Sequence, residues 1–118
     1  MSTQTKVTNS TAFNIGWIVL LVISVLATLN HIMLPVYGDP VEFAIGWTGY
    51  SLFASVILAI PFRRRERWAW YASWILVIGF AIPILSIQSS YAVAYLIAAG
   101  VMALCLLLTG PAFFRKET

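Results

Sequence analysis

An all-α, integral membrane four-helix bundle of up-down topology, with both termini in the cytoplasm, is expected of this chain on three grounds. Four apolar stretches, residues 13–34, 43–61, 69–87 and 91–110, take up most of its 118 residues. Each is close to the ~20 residues that cross a hydrocarbon layer as a helix. With 61% hydrophobic and only 9% charged residues, the chain has too little polar surface to cover a water-soluble globule of its size. Charge is also placed unevenly. Arg63-Arg64-Arg65-Glu66-Arg67 lies between the second and third stretches and holds four of the seven basic residues.

Basic connections are retained on the cytoplasmic side, so this connection should be cytoplasmic. Lys6, Arg115 and Lys116 flank the outermost stretches and agree with an even number of crossings. The opposite connections, residues 35–42 and 88–90, contain no lysine or arginine. A multi-pass protein of the plasma or inner membrane follows, with residues 1–118 as a single membrane domain. The net charge of +3 reports topology in this setting, and no nucleic acid is expected as a partner.

The first helix is expected over 13–34. Lys6 ahead of an apolar run resembles a secretory leader, but the run exceeds the roughly 7–15 residues of a leader's apolar region and no small-x-small cleavage site follows it. It is therefore read as a retained helix. Ser2 and the final Arg-Lys-Glu-Thr match no lipidation motif. The second helix, 43–61, is prefaced by Asp39-Pro40-Val41-Glu42, a capping residue followed by a proline at the first helical position and a carboxylate in the first turn. Pro61 ends or bends it, and the arginines that follow complement the negative end of its dipole.

The third helix, 69–87, opens among aromatic side chains. Trp68, Trp70, Tyr71 and Trp74 stand beside Arg63, Arg64, Arg65 and Arg67, where rings sit at headgroup level and guanidinium groups reach phosphates. This collar reads as a lipid anchor, with the bilayer and its anionic headgroups as partners. Pro83 should bend the third helix by disrupting the bond to the carbonyl of Gly79. Ser89 or Ser90 caps the fourth helix, 91–110, which Gly110-Pro111 should end.

Polar and small residues recur at helical spacing. Asn14, Leu21, Ser24, Thr28 and His31 form one stripe on the first helix. The second presents Ala44, Thr48, Ser51, Ser55 and Ala59 with Gly46 and Gly49 nearby, and the fourth Ala94, Ala98, Met102, Cys105 and Thr109. Within a membrane, polar groups seek partners and small residues let backbones approach, so these faces should pack together. Cys105 lies on such a face and reads as a packing residue. A single cysteine makes no internal disulfide or CxxC pair.

The one cluster with chemical potential is at the outer mouth of the bundle. His31 and Asn30 end the first helix, Tyr37, Asp39 and Glu42 lie on the connection that follows, and Gln88 ends the third helix on the same side. One imidazole and two carboxylates can bind a small ligand or relay protons. Capping accounts for both acids and interhelical hydrogen bonding accounts for His31, so the structural explanation is the stronger. A metal is not expected, because one histidine and two loosely spaced acids fall short of the usual three or four ligands. No cofactor is evident. No triad, phosphate loop or acidic pair deep in the membrane is present in the sequence, so catalysis is not expected.

His31-Ile32-Met33-Leu34-Pro35, Gly46-Trp47-Thr48-Gly49-Tyr50 and Phe62-Arg63-Arg64-Arg65-Glu66-Arg67-Trp68-Ala69-Trp70-Tyr71 together resemble small prokaryotic four-helix membrane proteins of the broad DoxX-like type. That resemblance implies an accessory role in quinone-linked or other membrane redox complexes, and carries over no catalytic residue. Three functions are consistent with these features. The first is a non-catalytic accessory or oligomerising module of a membrane complex. The second is a small transporter or ligand-binding protein using the mouth around His31, and the third is a quinone-linked redox subunit.

Overall fold

The computed structural model describes the backbone at residues 2–82 and 90–114, and side chains at 11–82 and 92–114. It is all-helical, with α1 (Ser2–Ile32), α2 (Val41–Ile57), α3 (Arg67–Ala81) and α4 (Ser90–Phe114). A 3-10 turn, Leu34–Tyr37, follows α1, and a π turn, Leu58–Phe62, extends α2. Three segments, Thr11–Ile32, Val41–Phe62 and Ala92–Phe114, are long and apolar enough to cross a bilayer. At 1.5 Å per residue, 22 residues reach about 33 Å, the thickness of the hydrocarbon layer.

α1 lies against both α2 and α4, α4 also lies against α3, and α2 touches α3 more lightly. Neighbours run antiparallel. The indole Nε1 of Trp17 donates to the carbonyl of Leu58 and His31 bonds the carbonyl of Trp47, so α1 and α2 pass in opposite directions. Gly16 meets Cys105 and Thr109 while His31 meets Tyr95, which does the same for α1 and α4. Arg67 reaches Phe113 and Phe80 packs on Tyr95, reversing α3 against α4.

Small and polar side chains are buried among Phe62, Phe80 and Leu20, while many large apolar ones face outward. Ser24, Ser51, Ala69 and Thr109 are fully buried, whereas Phe53 is 69% and Leu104 67% exposed. An outward apolar surface of this kind suits hydrocarbon better than water, and in hydrocarbon packing and interhelical hydrogen bonds supply the attraction between helices. Several interior hydroxyls first satisfy themselves on their own helix. Thr28, Ser51, Ser55 and Ser73 each donate to the carbonyl four residues earlier. No buried side-chain polar atom among the described residues lacks a partner.

The helices differ from the sequence expectation where apolarity and backbone chemistry diverge. α1 begins at Ser2 because residues 2–12 contain no proline or glycine to stop it, although they are too polar to extend the apolar run. Asn14 is exposed, off the stripe that buries Ser24, Thr28 and His31. Seven-residue steps drift by ~20° each on a 3.6-residue helix, so the pattern loses register toward that end. Ala94 is exposed for a similar reason, whereas Met102, Cys105 and Thr109 of the expected face are buried, together with Ala92, Ala99, Leu106 and Phe113.

Pro40, not Asp39, occupies the capping position of α2, whose first turn has no side-chain cap. Pro61, expected to end or bend the helix, lies one residue before its last helical residue, Phe62. In a π turn each carbonyl pairs with the N–H five residues on, so Ile57, which would face the missing N–H of Pro61, is matched to Phe62. The helix then closes in a Schellman motif, in which Glu66 N–H bonds the carbonyl of Pro61 and Arg65 N–H that of Phe62. Arg65 takes the left-handed conformation there, with φ 61°.

Pro111 likewise lies inside α4, which continues to Phe114. Phe113 packs against Phe13 and Phe62 at 5.8 and 4.8 Å and Phe114 against Trp70 at 5.2 Å. Those tertiary contacts outweigh the one backbone bond the proline removes. The proposed bend at Pro83, the cap at Ser89, Lys6, Arg115, Lys116 and the far end of the 69–87 stretch lie outside the residues described at side-chain level.

Between α2 and α3, the Tyr50 hydroxyl donates to the carbonyl of Ile75 at 2.8 Å. It reaches that carbonyl across Gly79, where any Cβ would overlap the phenol. Tyr50→Phe is expected to lower bundle stability by about 0.5–1 kcal/mol, the scale of one interhelical hydrogen bond in a membrane. Detergent-phase thermal unfolding, followed by labelling of the buried Cys105 thiol, measures it.

Candidate functional site

Two constellations stand at opposite ends of the bundle. At one end His31, the last polar residue of the α1 stripe, is only 2% exposed. Its Nδ1 lies 3.1 Å from the Trp47 carbonyl and 3.0 Å from the Ser51 hydroxyl. Its Nε2 lies 2.8 Å from the Tyr95 hydroxyl, which also accepts a bond from Asn30 Nδ2 at 3.0 Å.

The partners assign the protons. The Trp47 carbonyl only accepts, and Ser51 already donates to it at 2.9 Å, so Nδ1 carries the hydrogen. Nε2 then accepts from Tyr95 O–H, and the phenol oxygen accepts from Asn30. The neutral ring therefore satisfies every group around it. Trp47 and Tyr95 flank the imidazole at centroid distances of 5.5 and 6.0 Å. Deeper along the same seam, the Ser24 and Ser55 hydroxyls lie 2.7 Å apart and both approach the carbonyl of Ser51. The result joins α1, α2 and α4 through one connected set of polar contacts.

Of the residues expected at this mouth, the structure brings together Asn30 and His31. Among the described residues no hydrogen bond or ion pair joins either to Asp39 or Glu42, and Gln88 lies outside the described residues. Glu42 stands in the first turn of α2, exposed, and Tyr37 is exposed on the 3-10 turn. No group of three metal-ligating side chains occurs among the described residues. Tyr95, Trp47 and Ser51 were not in the expected cluster. Tyr95 lies one turn into the fourth apolar stretch, and antiparallel pairing with α1 sets it level with His31, a relation visible in sequence only once the partner helices are known.

At the other end the aromatic–arginine collar is built from three helices. The Arg63 guanidinium stacks over Trp17 at 5.2 Å, Arg65 over Phe13 at 4.6 Å and Arg67 over Phe114 at 5.8 Å. Arg67 Nε also donates to the Phe113 carbonyl at 3.3 Å. Arg64 is exposed. Glu66 accepts from Trp68 Nε1 at 2.6 Å, and among the described residues no carboxylate pairs with any of the four arginines. Trp70 is half-buried, donating to the Leu106 carbonyl at 2.8 Å, so it ties α3 to α4. Trp74 packs beside it at 5.7 Å, while Trp68 and Tyr71 are exposed. Phe13, Trp17 and Phe114, absent from the expected collar, supply the rings on which the arginines rest, and Phe113 supplies a carbonyl.

No protein-family model, curated protein or solved structure matches this chain.

Proposed function

We propose that this chain is an integral membrane protein that crosses the bilayer four times with both termini in the cytoplasm, and that it acts as a non-catalytic helical module. In this reading it assembles with copies of itself or within a larger membrane complex. The supporting observation is how the polar groups are used. The buried ones among the described residues are satisfied inside the bundle, and both His31 ring nitrogens are engaged in holding α1, α2 and α4 together. Outward faces are apolar, and around Gly46 and Gly49 on α2 the space is open.

Purification of the full chain in mild detergent, with mass measurement, tests the module. A discrete assembly or a comigrating partner above the 13.1 kDa of one chain is expected. A clean monomer with nothing bound contradicts it. The DoxX-like layout makes a membrane redox complex one candidate partner, and an ultraviolet–visible spectrum of the same material would reveal its chromophore. Accessibility labelling should find both tails on the cytoplasmic side of the plasma or inner membrane. Tails on opposite faces would refute the topology.

A second reading is favoured by the Asn30–Tyr95–His31 chain, whose exchangeable hydrogens could serve a proton or small ligand at the mouth. A ligand there would have to displace Tyr95 from Nε2. His31→Ala should then abolish pH-dependent uptake or binding in liposomes, and unchanged uptake would dismiss this reading.

A further inference from the structure

We infer that Arg63 and Arg65 form a preorganised clamp for the phosphate of an anionic phospholipid, a defined lipid site rather than diffuse attraction to the membrane surface. This rests on the membrane-spanning reading above and adds a specific ligand to it.

The first observation is backbone strain. The C′ position of a Schellman motif usually holds glycine, because φ near +60° crowds a Cβ. Here the residue is Arg65, at φ 61°, fixed by the bonds from Arg65 to Phe62 and from Glu66 to Pro61. A bulky residue kept in that conformation points to a use for its side chain. The side chain rests over Phe13, which stacks in turn on Phe62 at 5.9 Å.

The second observation is the matching pose of Arg63 over Trp17, four residues along α1 from Phe13. The two guanidinium groups are thus carried by ring faces about one helical turn, roughly 6 Å, apart along the α1 axis. Contact with a ring restrains each guanidinium while both arginines stay exposed, and a guanidinium edge matches two phosphate oxygens. Phosphate needs such pre-positioned donors more than flexible ones, since less side-chain freedom is lost on binding.

The third is charge. Glu66 accepts from Trp68 and, among the described residues, no carboxylate pairs with the arginines, whose guanidinium groups are open to an anion. The exposed rings of Trp68 and Tyr71 place the same surface at headgroup depth. A lipid phosphate, anchored by its acyl chains beside α1, is the occupant that satisfies both the charge and the apolar flank.

The test uses the full chain, reconstituted in vesicles of phosphatidylcholine alone or of phosphatidylcholine with phosphatidylglycerol. Carbonate extraction first verifies insertion; a protein that washes off refutes the membrane reading itself. Native mass spectrometry then counts retained lipids. Wild type should retain phosphatidylglycerol in preference to phosphatidylcholine, and Arg65→Gly should reduce that preference about fivefold, the effect of one basic residue at the surface. Glycine is favoured at this φ, so failure to fold does not explain the loss. Arg63→Lys with Arg65→Lys keeps the charge and should still lose much of the preference. Three results would overturn the clamp in an inserted protein: no preference in wild type, full retention by the double lysine variant, or equal displacement by inorganic phosphate, which would mark a general anion site.

Discussion

Gly16→Leu is expected to prevent α1 and α4 from closing, lowering stability by about 3 kcal/mol or more. A Cβ at Gly16 would lie 2.6 Å from Thr109 Cγ2 and 3.1 Å from the Cys105 carbonyl oxygen. The threonine is fully buried and its hydroxyl donates to the Leu106 carbonyl at 2.9 Å, so rotating it away sacrifices a hydrogen bond. The carbonyl belongs to helix backbone and yields only if the helices separate. Because Cys105 sits at this contact, its labelling by a thiol-reactive dye during heating reports the separation directly. Gly100→Leu, with open space around its Cα, is the control and should change the midpoint little. Equal midpoints for the two variants would show that α1 and α4 do not approach as described.

His31→Ala should cost about 2–4 kcal/mol, the range for truncating a large buried side chain, with unmade hydrogen bonds contributing. The truncation removes an acceptor from Tyr95 and a donor from the Trp47–Ser51 pair, and leaves a gap where three helices meet. Tyr95→Phe alone should destabilise less, because His31 keeps its Nδ1 contacts. Combined, the two changes should be less than additive, with a coupling of about 1 kcal/mol in a double-mutant cycle. Strict additivity would mean that the imidazole and the phenol do not share a bond. A loss of uptake or binding with unchanged stability would instead favour the ligand or proton reading of the mouth.

Helix number and approximate placement were legible because lipid imposes a simple rule on length and polarity. The polar stripe through Ser24, Thr28 and His31 was legible for the same reason, since hydroxyl and imidazole groups seldom face hydrocarbon. The stripe went astray at Asn14, where a heptad reading outruns the true helical period. Pro111 was overread as a stop. Pro61 is absorbed by a local π turn, whereas Pro111 is held in the helix by the packing of Phe113 and Phe114 on rings far away in the sequence. At the mouth, Asn30 and His31 are adjacent and were found together, but their shared partner is 64 residues from His31.

Read alone, the amino-acid order determined an all-helical chain with apolar stretches of membrane-spanning length, a basic connection after the second, and a histidine on a buried polar face. These follow from composition and from the period of one helix, which neighbouring residues set. Only the tertiary structure decided which partners those residues meet. It closed Tyr95 over His31, laid Arg63 and Arg65 on the rings of α1, and set Gly16 where two backbones nearly touch. Such pairings depend on how helices far apart in the chain are rotated and offset against one another, and the periodicity of a single helix carries no information about that.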